Sequence, residues 1–417
     1  MGKNKKNKWD IIIIGAGAAG MMAAVTAARE GKKVLILEQM DKLGKKIYAT
    51  GNGKCNYTNA NMSASCFNGD KAFISSVLER FTVEDCLTFF TEIGIYPKNR
   101  NGYFYPYSEQ ASSVVEAFQL ELDRLDVQIQ LGTRVTKINS DNYGIELYCE
   151  TNEKQTMTYL ASRIIIAVGL LAAPKLGSNG SLFSAIKDLG HRFHPILPAL
   201  CGFYCKGIPF KSVAGIRAQG KVTAVIDGQV FAEDTGELQF VDYGISGIPV
   251  FQISSHLSKG LYKKGHVVIH MQLLPELTKD QLFIELQKRQ TLFSNQPMQV
   301  FLNGLLQQKL SEMLLGMAGI DKMMPVNKLS DKQINRLIKL IQCIELTVEK
   351  YRDYEFAQVC TGGIPVTDIH TNTLESKAAK GIYFAGELLD VDGICGGYNL
   401  HFAWATGFIA GSSAAEE

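Results

Sequence analysis

Six residues near the start of the chain, Gly15-Ala16-Gly17-Ala18-Ala19-Gly20, have the spacing that lets a backbone receive a phosphate. The apolar run before them, residues 9–14, reads as a buried strand, and the alanine-rich stretch after them, to about residue 30, reads as a helix. Residues 33–38 read as a second strand, which completes a βαβ unit. Gly15 permits the tight turn, Gly17 lets a pyrophosphate approach the backbone, and Gly20 lets helix and strand pack closely. Ala18 and Ala19 open the helix, whose N-terminus offers unpaired N–H groups and the positive end of its dipole. Glu38, followed by Gln39, lies 18 residues past Gly20, where an acid accepts from a ribose diol and disfavours a 2′-phosphate. An ordinary glycine turn is the competing reading, and the full βαβ context argues against it.

A second set of chemistry-bearing residues lies at the far end of the chain. Gly381-Ile-Tyr-Phe-Ala-Gly386-Glu387 reads as a strand followed by a glycine and an acid, a pattern suited to a ribityl chain whose hydroxyls Glu387 accepts from. Gly393-Ile-Cys-Gly-Gly-Tyr-Asn-Leu400 reads as a glycine turn into a helix. Gly397, Tyr398, Asn399 and Leu400 would then aim a helix N-terminus at the pyrimidine end of a flavin, where positive charge favours the anionic reduced ring. Together the two ends point to FAD rather than NAD as the resident dinucleotide. Between residues 190 and 350 there is no second strand, GxGxxG and helix. NAD(P)H is therefore expected as a transient electron donor without a domain of its own.

Tyr243, in a glycine-flanked turn, and Cys395, in the C-terminal glycine turn, are the candidate proton donors. A packing tyrosine and a small buried thiol are the plainer readings of the same residues. Asp242 and His401 are weaker candidates, as a surface aspartate and a helix-capping histidine. Lys45, Lys46 and Lys54 meet either a cofactor phosphate or solvent.

The elements that must position these residues form an α/β protein: a Rossmann-type domain built from both chain ends, with an inserted antiparallel β domain and a small helical domain. A chain of 417 residues is too long for one ordinary core. Residues 1–193 and 356–417 are expected to form the nucleotide-binding domain, 194–274 and 341–355 a β-rich substrate domain, and 275–340 a helical insertion. Helical patterns run over 71–93 and 112–125, strands over 127–158 and 164–168, and alternating apolar residues over 194–270. Hydrophobic residues make up 46% and charged residues 20%, a globular balance, and the net charge of +2 provides no field to recruit nucleic acid or an acidic membrane. Nine cysteines at scattered spacings, without a CxxC pair, speak against a disulfide framework or a metal site and for a reducing cytoplasm. The basic start, MGKNKKNK, reads as a solvated tail, and no apolar run approaches the roughly 20 residues of a membrane span.

Four segments resemble a known family, the bacterial flavoproteins that include the BaiN-like and YhiN-like proteins and the aminoacetone oxidases. They are the loop from Leu43 to Asn59, the segment Gly236–Gly247, Ala357–Gly363, and the tail from Leu374 through Asp392 to Leu400. The resemblance implies that Thr50, Gly51, Asn52, Gly53, Lys54, Cys55 and Asn56 lie along the flavin. It also implies that Val135 meets the adenine through its backbone, and that Ala167, Val168 and Gly169 pass near the dinucleotide. The chain departs from the family's pattern at Val168-Gly169-Leu170, at Gly180-Ser181-Leu182-Phe183 and at Phe240-Val241-Asp242-Tyr243-Gly244. The activity implied is NAD(P)H-driven reduction of an activated C=C bond in a hydrophobic, steroid-like or bile-acid-like enone. The alternatives are uracil reduction in ribosomal RNA, oxidation of an amine by O₂, and a flavin-binding protein without catalysis. Lys322, Lys328, Lys332, Arg336 and Lys339 would supply a basic face to RNA, although a solvated helix surface explains them as well. The oligomeric state is open.

Overall fold

The computed structural model describes residues 8–141 and 143–416. The basic segment 1–7 lies outside them. The described chain divides into two compact units, 1–197 with 358–417, and 198–357.

The first unit is organised by a mixed sheet. Strands Gln128–Gln130, Val34–Leu37, Lys8–Ile14 and Thr156–Ile166 run parallel in that order. Ile382–Phe384 joins parallel to the end of Thr156–Ile166, so a segment from the far end of the chain completes the sheet. Gly144–Thr151 and Thr133–Asp141 extend it antiparallel. The central strands are continuous apolar runs, as strands covered on both faces must be: Ile11, Ile12, Ile13, Ile164, Ile165 and Ile166 are fully buried. The helical pattern expected over 71–93 is two helices, Lys71–Arg80 and Val83–Glu92. Thr82 starts the second with a capping box to Asp85, and this breaks the run.

Helix Ala18–Arg29 packs along helix Tyr398–Glu416, and the sequence of both permits an unusually close approach. A Cβ on Gly407 would lie 2.4 Å from the carbonyl oxygen of Ala19, and one on Gly411 would lie 2.7 Å from that of Ala23. Thus the two glycines let one helix rest on the other's backbone. One turn before Gly407, Trp404 stacks on Phe118 at 5.4 Å and donates its indole N–H to the Tyr57 carbonyl at 3.1 Å.

The second unit is a closed antiparallel barrel of Phe203–Lys206, Gly244–Ser246, Gln229–Val241, Arg217–Ile226, Val267–Leu273 and Ile344–Tyr351. Closure removes exposed sheet edges. Three helices, Lys279–Leu292, Gln308–Ala318 and Asp331–Gln342, lie between the last two barrel strands in the chain and belong to the same compact unit. The reading of 194–270 as β structure missed a helix, Ile248–Tyr262. Its buried side carries Val250, Ile253 and Leu257 at helical spacing, interleaved with Ser254, Ser255, Ser258 and Gly260. Ser254 Oγ accepts from the Leu200 N–H at 2.8 Å, and Ser258 Oγ donates to the Pro198 carbonyl at 2.7 Å. No helix of the described residues is long and apolar enough to cross a membrane.

Gly407→Ala tests the helix contact. Alanine gains about 1 kcal/mol of intrinsic helix preference. Overpacking against a backbone atom costs about 1–3 kcal/mol. The variant is expected to unfold at lower urea concentration than the parent; equal or greater stability would show that the approach is not tight.

Candidate active site

The glycine turn has the geometry of a phosphate cradle. Gly15 has φ +100°, and a Cβ on Gly20 would lie 1.9 Å from the Gly15 carbonyl oxygen, so strand and helix meet with no room for a side chain. Gly17, by contrast, has open space around its Cβ position. It is the extended N-cap residue of helix Ala18–Arg29, and no side chain caps that helix. A helix of this length with a free N-terminus beside open space is suited to an anion. Glu38 is buried and accepts from the Ala16 N–H at 2.6 Å and the Met40 N–H at 2.8 Å. Burial pushes its carboxyl above the ordinary value, against the opposing effect of those N–H groups. Lone pairs remain on both oxygens for a diol. Gln39 donates its amide to the Gly177 carbonyl. Val135 is buried at a bulge in Thr133–Asp141, and the Ala167 N–H bonds the Ile14 carbonyl at 2.9 Å. Beyond Val168, the Cβ position of Gly169 is 2.8 Å from Ser178 Oγ and 3.6 Å from Glu387 Oε2.

The loop from Thr50 to Asn56 is held in a shape that few sequences tolerate. Gly51, Asn52, Gly53 and Cys55 all have positive φ. Thr50 Oγ bonds the Ile47 carbonyl at 2.6 Å, and the Lys54 and Cys55 N–H groups return to Gly51 and Thr50. Cys55 is fully buried, and burial pushes its thiol up to about 12. This loop meets the C-terminal turn: Asn56 Oδ1 lies 2.8 Å from the Cβ position of Gly397 and is buried without a hydrogen-bond partner. An orphaned buried acceptor at this point fits a ligand donor. Gly397 and Gly396 both have positive φ. Asn399 pins the turn by accepting from the Gly393 N–H at 2.8 Å and donating to its carbonyl at 2.7 Å. Asp392 is buried and accepts from Asn68 at 2.8 Å, Tyr398 packs edge-on to Phe67, and Leu400 follows in the first helical turn. Half-buried Cys395 lies between strand Asp392–Gly393 and Gly396.

Each of the three lysines offered to phosphate or solvent has an acidic partner. Lys45 pairs with Asp41 at 2.8 Å and Lys54 with Glu109 at 3.9 Å. Lys46 pairs with Glu387 at 2.7 Å, across 341 residues of sequence. The other Glu387 oxygen accepts from the Cys360 N–H at 2.8 Å. Gly386 donates its N–H to Thr406 Oγ at 2.9 Å. None of these long-range partnerships has a local sequence signature. A concavity of about 530 Å³ lined by Lys187, His191, Arg192, Asp368 and Lys377 involves none of these segments.

His401 is not a helix cap. It is fully buried within Tyr398–Glu416, with Nδ1 2.8 Å from Thr58 Oγ and Nε2 3.1 Å from the Phe81 carbonyl. The Phe81 contact assigns the proton to Nε2, so Thr58 donates to Nδ1. Burial lowers its pKa to about 4. In the barrel unit, Tyr243 lies in the turn between Gln229–Val241 and Gly244–Ser246, against Tyr204 at 4.7 Å and under the Arg352 guanidinium at 4.4 Å. Burial raises the Tyr243 phenol above its ordinary value, with Arg352 opposing. Asp242 is exposed beside it.

A βαβ phosphate cradle with an acid after its second strand, closed by a glycine turn and helix from the other chain end, defines an FAD-dependent oxidoreductase. Residues 9–413 match the family described as HI0933-like protein Rossmann domain, and the chain belongs to that family. It is 43% identical over 407 residues to the 3-dehydro-bile acid delta(4,6)-reductase of Clostridium scindens, covering 97% of this chain and 98% of that one. It is 29% identical over 403 residues to a ribosomal RNA dihydrouridine synthase of Haemophilus influenzae, covering 95% and 96%. The fold is similar to that of 3-ketosteroid delta1-dehydrogenase from Sterolibacterium denitrificans, with a TM-score of 0.52, 11% identity and coverage of 99% and 100%. It is also similar to 3-ketosteroid-delta4-(5alpha)-dehydrogenase from Rhodococcus jostii RHA1, with a TM-score of 0.50, 15% identity and coverage of 99% and 98%.

The His401 contacts have a measurable consequence. Above pH 6.5 the ring is neutral whether the chain is folded or not. Below it the unfolded chain takes up a proton that the folded chain refuses until about pH 4. Folding stability is therefore lost over that window, by roughly 3 kcal/mol in all. His401→Gln removes the titration. Urea unfolding of the variant is expected to lose about 2 kcal/mol less than the parent between pH 7 and pH 5; parallel curves would contradict the assignment.

Proposed function

We propose that the chain reduces the activated C=C bond of a steroid-like enone, with NAD(P)H as a transient electron donor. The observation that carries this is the meeting of the Thr50–Asn56 loop with the Gly393–Leu400 turn, which leaves Asn56 Oδ1 buried and unpartnered. The high identity to a bile acid reductase over nearly the whole chain favours an enone as acceptor.

In this reading Gly15, Gly17 and Gly20, with the N–H groups of Ala18 and Ala19, bind the FAD pyrophosphate. Glu38 and Gln39 face the adenosine ribose, and Val135 with Ala167, Val168 and Gly169 borders the adenosine. Glu387, with Lys46 alongside, accepts from the ribityl hydroxyls, and Gly386 and Asp392 shape that path. The 50–56 loop and Gly397 to Leu400 would hold the isoalloxazine end, and FAD when bound would supply the hydride for the β carbon of the acceptor. The proton for the α carbon comes from Cys395 or Tyr243. Tyr243 keeps its phenolic proton at neutral pH because burial raises its pKa. A stable second nucleotide domain is not required: the barrel unit is antiparallel and lacks the βαβ unit that holds a dinucleotide. Nine cysteines without a disulfide suit a reducing cytoplasm.

The test is turnover with NADPH or NADH and a 4-ene-3-keto steroid, followed by mass spectrometry for a product heavier by two hydrogens. Cys395→Ser and Tyr243→Phe identify the acid. Loss of the required proton donor is expected to lower enone reduction by roughly 100-fold or more, with flavin reduction by NAD(P)H retained. Peroxide formation with an amine, or dihydrouridine in ribosomal RNA without steroid reduction, would overturn the proposal.

A further inference from the structure

A β-hairpin, Pro97–Arg100 with Tyr103–Pro106, lies on the strand Thr58–Asn59 that directly follows the 50–56 loop. Its register places Lys98 opposite Tyr105 and Arg100 opposite Tyr103, and directly opposed side chains share a face. That face looks onto both flavin-flanking segments. Tyr105 Cε1 is 3.7 Å from the Cβ position of Gly51, and Tyr103 Cε1 is 2.9 Å from that of Gly396.

The charge on this face is unbalanced. Lys98 at 3.0 Å, Lys54 at 3.9 Å and Arg100 all pair with one carboxylate, Glu109. The three cations hold the Glu109 carboxyl below its ordinary value, the hydrogen bond from Lys98 contributing most. Glu109 adopts a positive φ of 54°, uncommon for a side chain of its size. Three cations on one acid leave two positive charges over, and the Arg100 side chain is 47% exposed. The turn that the Glu109 N–H closes on the Pro106 carbonyl at 2.8 Å fixes that backbone, and a simple surface pair does not need the excess of cations.

We propose that this hairpin face is a subsite for the carboxylate of an anionic steroid-like acid, whose fused apolar body lies against Tyr103 and Tyr105 while Lys98 and Arg100 take its charge. Glu109 gathers the cations and moderates their pull. The inference rests on the enone reading above and specifies its substrate class: an acid rather than a neutral ketone.

The experiment compares a 3-keto-4-ene steroid bearing a side-chain carboxylate with its methyl ester, in the FAD-loaded enzyme at low salt. The parent is expected to prefer the acid in kcat/KM, through KM. In the double variant Lys98→Ala, Arg100→Ala the acid-to-ester ratio is expected to fall about tenfold, because exposed ion pairs are individually weak. Arg100→Lys is expected to retain most of the preference. Glu109→Gln is expected to move the ratio the opposite way, which a folding defect would not do. A parent that reduces the ester and the acid equally, or a double variant that changes both alike, overturns the subsite and leaves the enone reading standing. An effect confined to NADPH, or to ribosomal RNA, also overturns it. Reduction of neither steroid overturns both readings.

Discussion

The close approach of helices Ala18–Arg29 and Tyr398–Glu416 is the contact on which the nucleotide-binding unit depends. Gly407 and Gly411 place one helix against the backbone carbonyls of the other. That contact brings the uncapped N-terminus of the first helix and the glycine turn before the last helix into one unit, although nearly 400 residues separate them in sequence. A Cβ at either glycine would push the helices apart. A cofactor cradle built from both chain ends requires this fit, because the glycine turn at one end would act on a flavin only if the other end reaches it.

Polar contacts then set the orientation that packing alone leaves free. Lys46 and Glu387 join the two chain ends through a part-buried ion pair, and the Cys360 N–H holds the second carboxylate oxygen. Thr406 receives the Gly386 N–H, and His401 ties Thr58 to the last helix. A directional, water-poor set of this kind is worth more than the same pairs on the surface, because removing one member leaves its partner buried and unsatisfied. Asn56 Oδ1 is one of the buried polar atoms left without a hydrogen-bond partner, and it lies beside Gly397.

Much of the fold was legible in the sequence because its signals are local. A buried strand, a glycine turn and an alanine-rich helix declare themselves within 30 residues, and the glycine-rich tail signalled that the chain returns to its first domain. Helix Ile248–Tyr262 was overlooked although Val250, Ile253 and Leu257 recur at helical spacing, because the serines interleaved with them weaken that period beside strands that alternate strongly. The break at Thr82 was a capping signal lying inside a longer amphipathic run. The site was legible as segments and not as partnerships. Lys46 with Glu387, His401 with Thr58 and Phe81, and the hairpin tyrosines against Gly51 and Gly396 are all meetings of residues distant in sequence. Spacing cannot report them.

The proposed reaction delivers electrons from this site to a carbon–carbon double bond. The most direct measurement is anaerobic stopped-flow. The bound flavin is reduced with one equivalent of dithionite and mixed with a 3-keto-4-ene steroid, with uridine-containing ribosomal RNA, or with oxygen alone. The expected result is rapid return of the oxidised flavin spectrum with the steroid, faster than with oxygen, and a saturated ketone as product. Reoxidation by oxygen alone, or by the RNA and not the steroid, would contradict it.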